Sequence, residues 1–152
     1  MDKIIISDTS CLIALTNIDK LDLLKDLYEE VIITREVYKE FGGLVPDWIS
    51  ISEVKDKQKQ HELEQQLDKG EASSIVLALE IDNSTLIIDE VKGRKIAQSL
   101  NIDIIGTIGV ILLANQKGVI NDVIGTILRL VNKGFRLSDK LINIIIDRYS
   151  KK

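Results

Sequence analysis

Five short runs rich in β-branched residues, at 3–7, 31–33, 49–51, 85–88 and 103–105, are separated from one another by segments with helical spacing. This alternation limits the fold more than any other feature of the chain. Consecutive strands joined through helices need crossover connections, and a crossover that returns to the same sheet leaves its strands parallel. Helices then cover both faces of the sheet. The pattern predicts an α/β protein, a three-layer α/β/α sandwich with a mostly parallel central sheet. Helices are expected at 10–16, 21–27, 34–41, 58–67, 70–81, 90–100, 107–116, 121–132 and 138–149. Thr34, Asn121 and Ser138 offer side-chain oxygens as caps at three of these starts.

Of the 152 residues, 45% are hydrophobic but only 4% are aromatic, so the core must be built from Ile, Leu and Val, as buried parallel strands require. That length suits one domain spanning 1–152. Its most polar stretch, 53–66, holds two apolar residues, Val54 and Leu63, and reads as a solvated helix or mobile flap. Gly42, Gly43 and Pro46 mark the exit from the preceding helix. A net charge of −4 argues against coating nucleic acid by bulk electrostatics and leaves room for a local basic rim. A single cysteine, Cys11, excludes an internal disulfide framework, and a single histidine, His61, leaves no His/Cys cluster for zinc. Both read as bystanders, Cys11 as a small core hydrophobe. No stretch approaches the roughly 20 apolar residues of a membrane span and the N-terminus lacks a signal-peptide pattern, so a cytoplasmic protein is expected.

The chemistry must therefore use carboxylates. Ligands of an open parallel sheet gather at the carboxyl ends of its strands, which puts polar residues directly after apolar runs first in line. Asp8 follows "KIIIS", and Asp89 with Glu90 follows "TLII". Asp8 could simply cap the next helix, or serve a site. In "GEASSIVLALE" a rotation of about 100° per residue puts Glu71 on the face of Ile75, Ala78 and Leu79, opposite Glu80. Gly70 beside it could cap the helix or admit a close chain approach. In "TREVYKEF" Glu40 flanks the stripe of Val37 and Phe41, with Glu36 further round toward solvent. Clustered carboxylates raise one another's pKa unless a divalent cation sits among them. Oxygen ligands without His or Cys point to Mg²⁺ or Mn²⁺, which suits phosphodiester hydrolysis.

These residues resemble the PIN-domain ribonucleases. The resemblance rests on "ISDTSCLIAL", "VIITREVYKEF", "DKGEASSIVLALE" and "LIIDEVKGRKIAQSLNIDIIGTIGVILLANQKG", which together span most of the chain. It is nearest to a bacterial and archaeal PIN-like branch with a "GEA" motif. It implies a metal-dependent endoribonuclease with catalytic acids at Asp8, Glu40, Glu71 and Asp89, and metal ligands at Asp8, Glu71, Asp89 and Glu90. It also implies supporting polar groups at Ser10 and Thr107, an RNA substrate, a homodimer, and an antitoxin partner of the kind that silences toxins of this family. Two positions depart from the family pattern. The third acid is usually aspartate and is Glu71 here, and the last strand ends Ile87, Ile88, Asp89, Glu90 rather than in a threonine-x-aspartate pattern, leaving the last ligand open between Asp89 and Glu90.

Phosphate contacts are expected from Arg35, Lys39, Lys92, Arg94 and Lys95, on the helices beside these acids. Apolar stripes at Ile124, Ile127, Leu128 and Val131, and at Leu141, Ile144 and Ile145, would cover the sheet; Ile142 and Ile146 widen the second toward a dimer or antitoxin surface. Rival acid-bearing folds fit less well. A receiver domain wants adjacent acids after the first strand, where Ser7 precedes Asp8, and a haloacid-dehalogenase phosphatase wants Asp where Ser10 stands. The serious alternative is a catalytically silent PIN-like module that binds protein or RNA without cutting.

Overall fold

A computed structural model describes residues 3–150. Its elements run β1 (Ile4–Ser7), α1 (Thr9–Asn17), α2 (Asp22–Leu27), β2 (Glu30–Thr34), α3 (Arg35–Phe41), β3 (Ile49–Ser52), α4 (Lys57–Leu63), α5 (Lys69–Glu80), β4 (Ser84–Ile87), α6 (Val91–Ser99), β5 (Ile104–Ile105), α7 (Thr107–Gln116), α8 (Val123–Asn132) and α9 (Asp139–Ser150). The five strands form one all-parallel sheet in the order β3-β2-β1-β4-β5. This is a three-layer α/β/α PIN-like fold, as the alternation predicts.

Side chains alternate across the sheet with period 2. Ile5 and Ile33 join the core beneath α1, α2, α7 and α8, whereas their neighbours Ile6 and Ile32 join the one beneath α5 and α6. Similarly, Ile87 faces the first core, and Leu86 and Ile88 face the second. Ile5, Ile6, Leu86, Ile87 and Ile88 are fully buried. At roughly 1.5–3 kcal/mol per buried aliphatic side chain, these central strands are the best-secured part of the molecule.

The topology also locates the site. From the central β1 the chain moves outward through β2 and β3, then crosses to the other side of β1 to lay down β4 and β5. The order therefore reverses between β1 and β4, where the crossovers diverge and leave a crevice at the strands' carboxyl ends. Asp8 N–H donates to the Ile87 carbonyl at 3.2 Å, so the two strand ends meet there.

Several local expectations are corrected. Of the two readings of segment 53–66 the solvated helix holds, as the largely exposed α4, and the free flap does not: Val54 is buried, and Glu80 at the end of α5 accepts the backbone N–H groups of Lys55 and Asp56 at 2.9–3.1 Å. Asp122 rather than Asn121 caps α8, accepting from Gly125 N–H at 2.9 Å. The buried face of α8 is Val123, Thr126, Ile127 and Leu130, so Ile124 and Leu128 turn outward. On α5 all residues from Ala72 to Leu77 are buried, while Leu79 is 38% exposed; the helix is wrapped by neighbours over its middle instead of presenting one apolar stripe. Among the described residues of α9 only Ile145 is buried, and Leu141, Ile144 and Ile146 are exposed.

Candidate active site

Asp8 ends β1 and opens α1. Its Oδ1 accepts the Cys11 N–H at 2.9 Å, so it is the helix cap, and it is only 3% exposed. Capping accounts for one carboxylate oxygen and does not compensate a buried charge. Burial pushes its pKa up to about 8; the Cys11 hydrogen bond opposes this and the charges of Asp89 and Glu71 add to it. Burial likewise pushes the neighbouring Cys11 thiol up, which fits a packing role.

Asp89 stands one position beyond Ile88 and is held by the start of α7. Thr107 donates twice, from its backbone N–H to Oδ1 at 2.8 Å and from its hydroxyl to Oδ2 at 2.6 Å. Thr107 is itself fully buried. The N-terminus of α7 thus presents donors and its dipole to an anion, fixing the orientation of Asp89. Arg94 donates to the Ile88 carbonyl at 2.8 Å, tying α6 to the same strand end.

Glu71 lies in the first turn of α5, where Asp68 accepts its backbone N–H at 2.8 Å. Its pKa rises to about 7, first through burial and then through the charge of Asp68, with Glu90 adding to the effect. Gly93 lets α6 close on this acid: a β-carbon there would meet Ile88 Cδ1 at 2.6 Å and approach Glu71 Oε2 at 3.6 Å. Glu90 is exposed and precedes α6 without a side-chain capping bond.

A cavity of about 680 Å³ opens above these groups. Asp68, Glu71, Asp89 and Glu90 line it together with Ser10, and Lys92, Lys133 and Arg136 bring positive charge to the same cavity. Asp8 lies buried at the strand ends, close enough to Asp89 and Glu71 to feel their charges.

The sequence-predicted residues divide accordingly. Asp8, Glu71, Asp89, Glu90, Ser10 and Thr107 gather at the strand ends. Glu40 does not line the cavity; it sits on the seam of α1, α3 and α5, accepting the Thr9 hydroxyl at 2.6 Å, beside Gly70. Glu36, expected nearer solvent, is turned onto α4, where Gln60 donates to it at 2.7 Å. Of the five basic residues, Lys92 lines the cavity, Arg35 pairs with Glu53 at 3.2 Å, Arg94 holds a strand end, and Lys39 and Lys95 are exposed outside it. Sequence reasoning missed Asp68, Lys133 and Arg136. Asp68 carried a signal, since Asp-x-x-Glu before an apolar run is a helix-start pattern. Lys133 and Arg136 reach the site only through the path of α8.

The residues present would suit a hard divalent cation in type: the candidate donors are all carboxylates, and burial, with neighbouring like charge, raises the pKa of two of them. Among the described residues, no three Asp, Glu, His or Cys side chains are grouped to hold a metal ion as they stand. No helix among them is long and apolar enough to cross a membrane.

A family model described as a PIN domain, DUF3368, matches residues 4–151. No curated protein and no solved structure matches the chain. The parallel sheet, its order and the family match agree on a nuclease-like fold. With 4–151 of its 152 residues matched, the chain belongs to the PIN-domain family.

Proposed function

We propose that this protein is a Mg²⁺- or Mn²⁺-dependent endoribonuclease that cuts single-stranded RNA. The observation that carries this reading is the position of Asp8: buried at the topological switch point, electrostatically coupled to Asp89 and Glu71, and adjoining a cavity that holds both acids and basic side chains. Asp8, Glu71 and Asp89 would hold the ion, with Glu90 or Asp68 completing the set. When bound, a divalent ion activates a water and neutralises charge developing on the phosphoryl oxygens. The chain's own residues do the rest. Thr107 keeps both oxygens of Asp89 oriented. Lys92, Lys133 and Arg136 hold the RNA backbone without specifying sequence. Glu40 acts as a positioning residue, fixing Thr9 in the first turn of α1 next to Asp8.

A finer part of the proposal is that the protein is the toxin of a toxin–antitoxin pair and works as a dimer. Exposed Leu141 and Ile144 on α9 and Leu128 on α8 supply apolar surface that a second copy or an antitoxin would cover.

Cleavage of unstructured RNA in Mn²⁺ tests the reading. The wild-type chain is expected to cut, and Asp8→Asn to lose about 100-fold or more of the rate while keeping its helix cap. Equal cleavage by both proteins would exclude the site. The absence of a ready-made group of three acids among the described residues favours a second reading, a module that binds RNA without cutting; binding without metal-dependent cleavage by the wild type would establish it.

A further inference from the structure

The cavity has apolar lining that the acids do not explain. Ile13, Ala14, Leu130 and Phe135 line it, and Ile13 is 44% exposed, a large apolar side chain left open where the protein could have placed a polar one. Phe135 is the aromatic residue of this cavity and is partly buried against the core beneath α8.

The sequence "LVNKGF" fixes that ring in place. Gly134 N–H donates to the Val131 carbonyl at 3.0 Å and Phe135 N–H to the Leu130 carbonyl at 2.9 Å, the paired bonds of a Schellman helix end. Gly134 has φ 104°, a conformation that side chains resist, although a β-carbon there would meet nothing within 4 Å; glycine is needed for the turn and not for space. The motif brings Phe135 back over Leu130 and leaves Lys133 and Arg136 on either side of it in sequence, all three lining the cavity that holds the acids. An aromatic side chain flanked by cations, in the same cavity as carboxylates that would act on a phosphodiester, has the chemistry of a nucleotide subsite: stacking for the base, positive charge for the phosphates.

We infer that Phe135, on its apolar shelf of Ile13, Ala14 and Leu130, stacks an unpaired nucleobase next to the cleavage site, with Lys133 and Arg136 holding the adjoining phosphates. The inference rests on the ribonuclease reading and deepens it. A base enters this cavity only when released from a duplex, so the subsite selects single-stranded RNA. Stacking is tolerant of base identity, because every base offers a π-face, so the subsite reads strandedness and not sequence.

Anisotropy of a fluorescein-labelled oligouridylate tests this in the Asp8→Asn background, where the RNA stays intact. Phe135→Leu keeps apolar packing at the helix end without a ring; Phe135→Tyr keeps the ring. Thermal melting of each variant checks the fold. Phe135→Leu should weaken binding about tenfold and Phe135→Tyr should restore it. Scanning an abasic nucleotide along the oligomer should reveal one position whose base adds about tenfold to affinity when Phe135 is present and adds nothing in the Phe135→Leu variant. An abasic penalty that is the same in both proteins, or unchanged affinity in Phe135→Leu, overturns the subsite and leaves the ribonuclease reading intact. Absence of RNA binding by Asp8→Asn in any form overturns the ribonuclease reading as well.

Discussion

The acids at the strand ends and those at the cavity rim are held in different ways. Asp8 and Asp89 are fixed by hydrogen bonds: one caps α1 and the other accepts from both the backbone N–H and the hydroxyl of Thr107. Glu71 and Glu90 stand at helix starts, Glu71 partly buried and Glu90 exposed, and the charge of Glu90 adds to the raised pKa of Glu71. The comparison separates orientation from burial. The inner pair is preorganised by hydrogen bonds, whereas burial raises the pKa of one acid in each group, Asp8 inside and Glu71 at the helix start. Among the described residues the carboxylates thus raise one another's pKa without converging on one point.

Breaking the rigid half should have the larger effect. Thr107→Val removes the hydroxyl bond to Asp89 while keeping size and the backbone bond, and should lower the cleavage rate about 10–100-fold, the usual consequence of losing a partner that orients a ligand. Single-turnover kinetics in saturating Mn²⁺ measures it; a rate within about twofold of wild type would mean that Asp89 needs no such anchor. The rim should respond more mildly. Lys133→Ala should weaken RNA binding a few-fold and reduce the slope of log affinity against log salt by about 1, whereas Lys95→Ala, outside the cavity, should do neither. Salt titrations of both variants sharpen the contrast, and equal effects would erase it.

Much of this was legible in the chain. Short β-branched runs joined through helical segments gave the parallel sheet, and residues following the strands gave Asp8 and Asp89, because strand-end chemistry is local in sequence. The register of α8 was not legible. Ile124, Ile127, Leu128 and Val131 form as good a stripe as the observed Val123, Ile127 and Leu130, and only tertiary packing chooses between them. That choice of face carries Lys133, Phe135 and Arg136 to a site more than forty residues from Asp89 along the chain. Glu36 was misjudged for the same reason, since the cover supplied by α4 lies outside the helix that bears it.

The proposed role of Asp8 is that of a cation ligand which keeps its proton until a metal displaces it, and the pH dependence of folding addresses that role directly. A carboxyl whose pKa rises from 3.8 unfolded to about 8 folded binds its proton more tightly in the native state. Its contribution is full below about pH 4 and is lost as pH rises through 8, with Glu71 acting in the same direction. In urea titrations without metal, the wild type should therefore lose on the order of a few kcal/mol between pH 4 and pH 8 relative to Asp8→Asn, and Mn²⁺ should restore it at pH 8 in the wild type only. Parallel pH profiles for the two proteins, or equal stabilisation of both by Mn²⁺, would contradict the account.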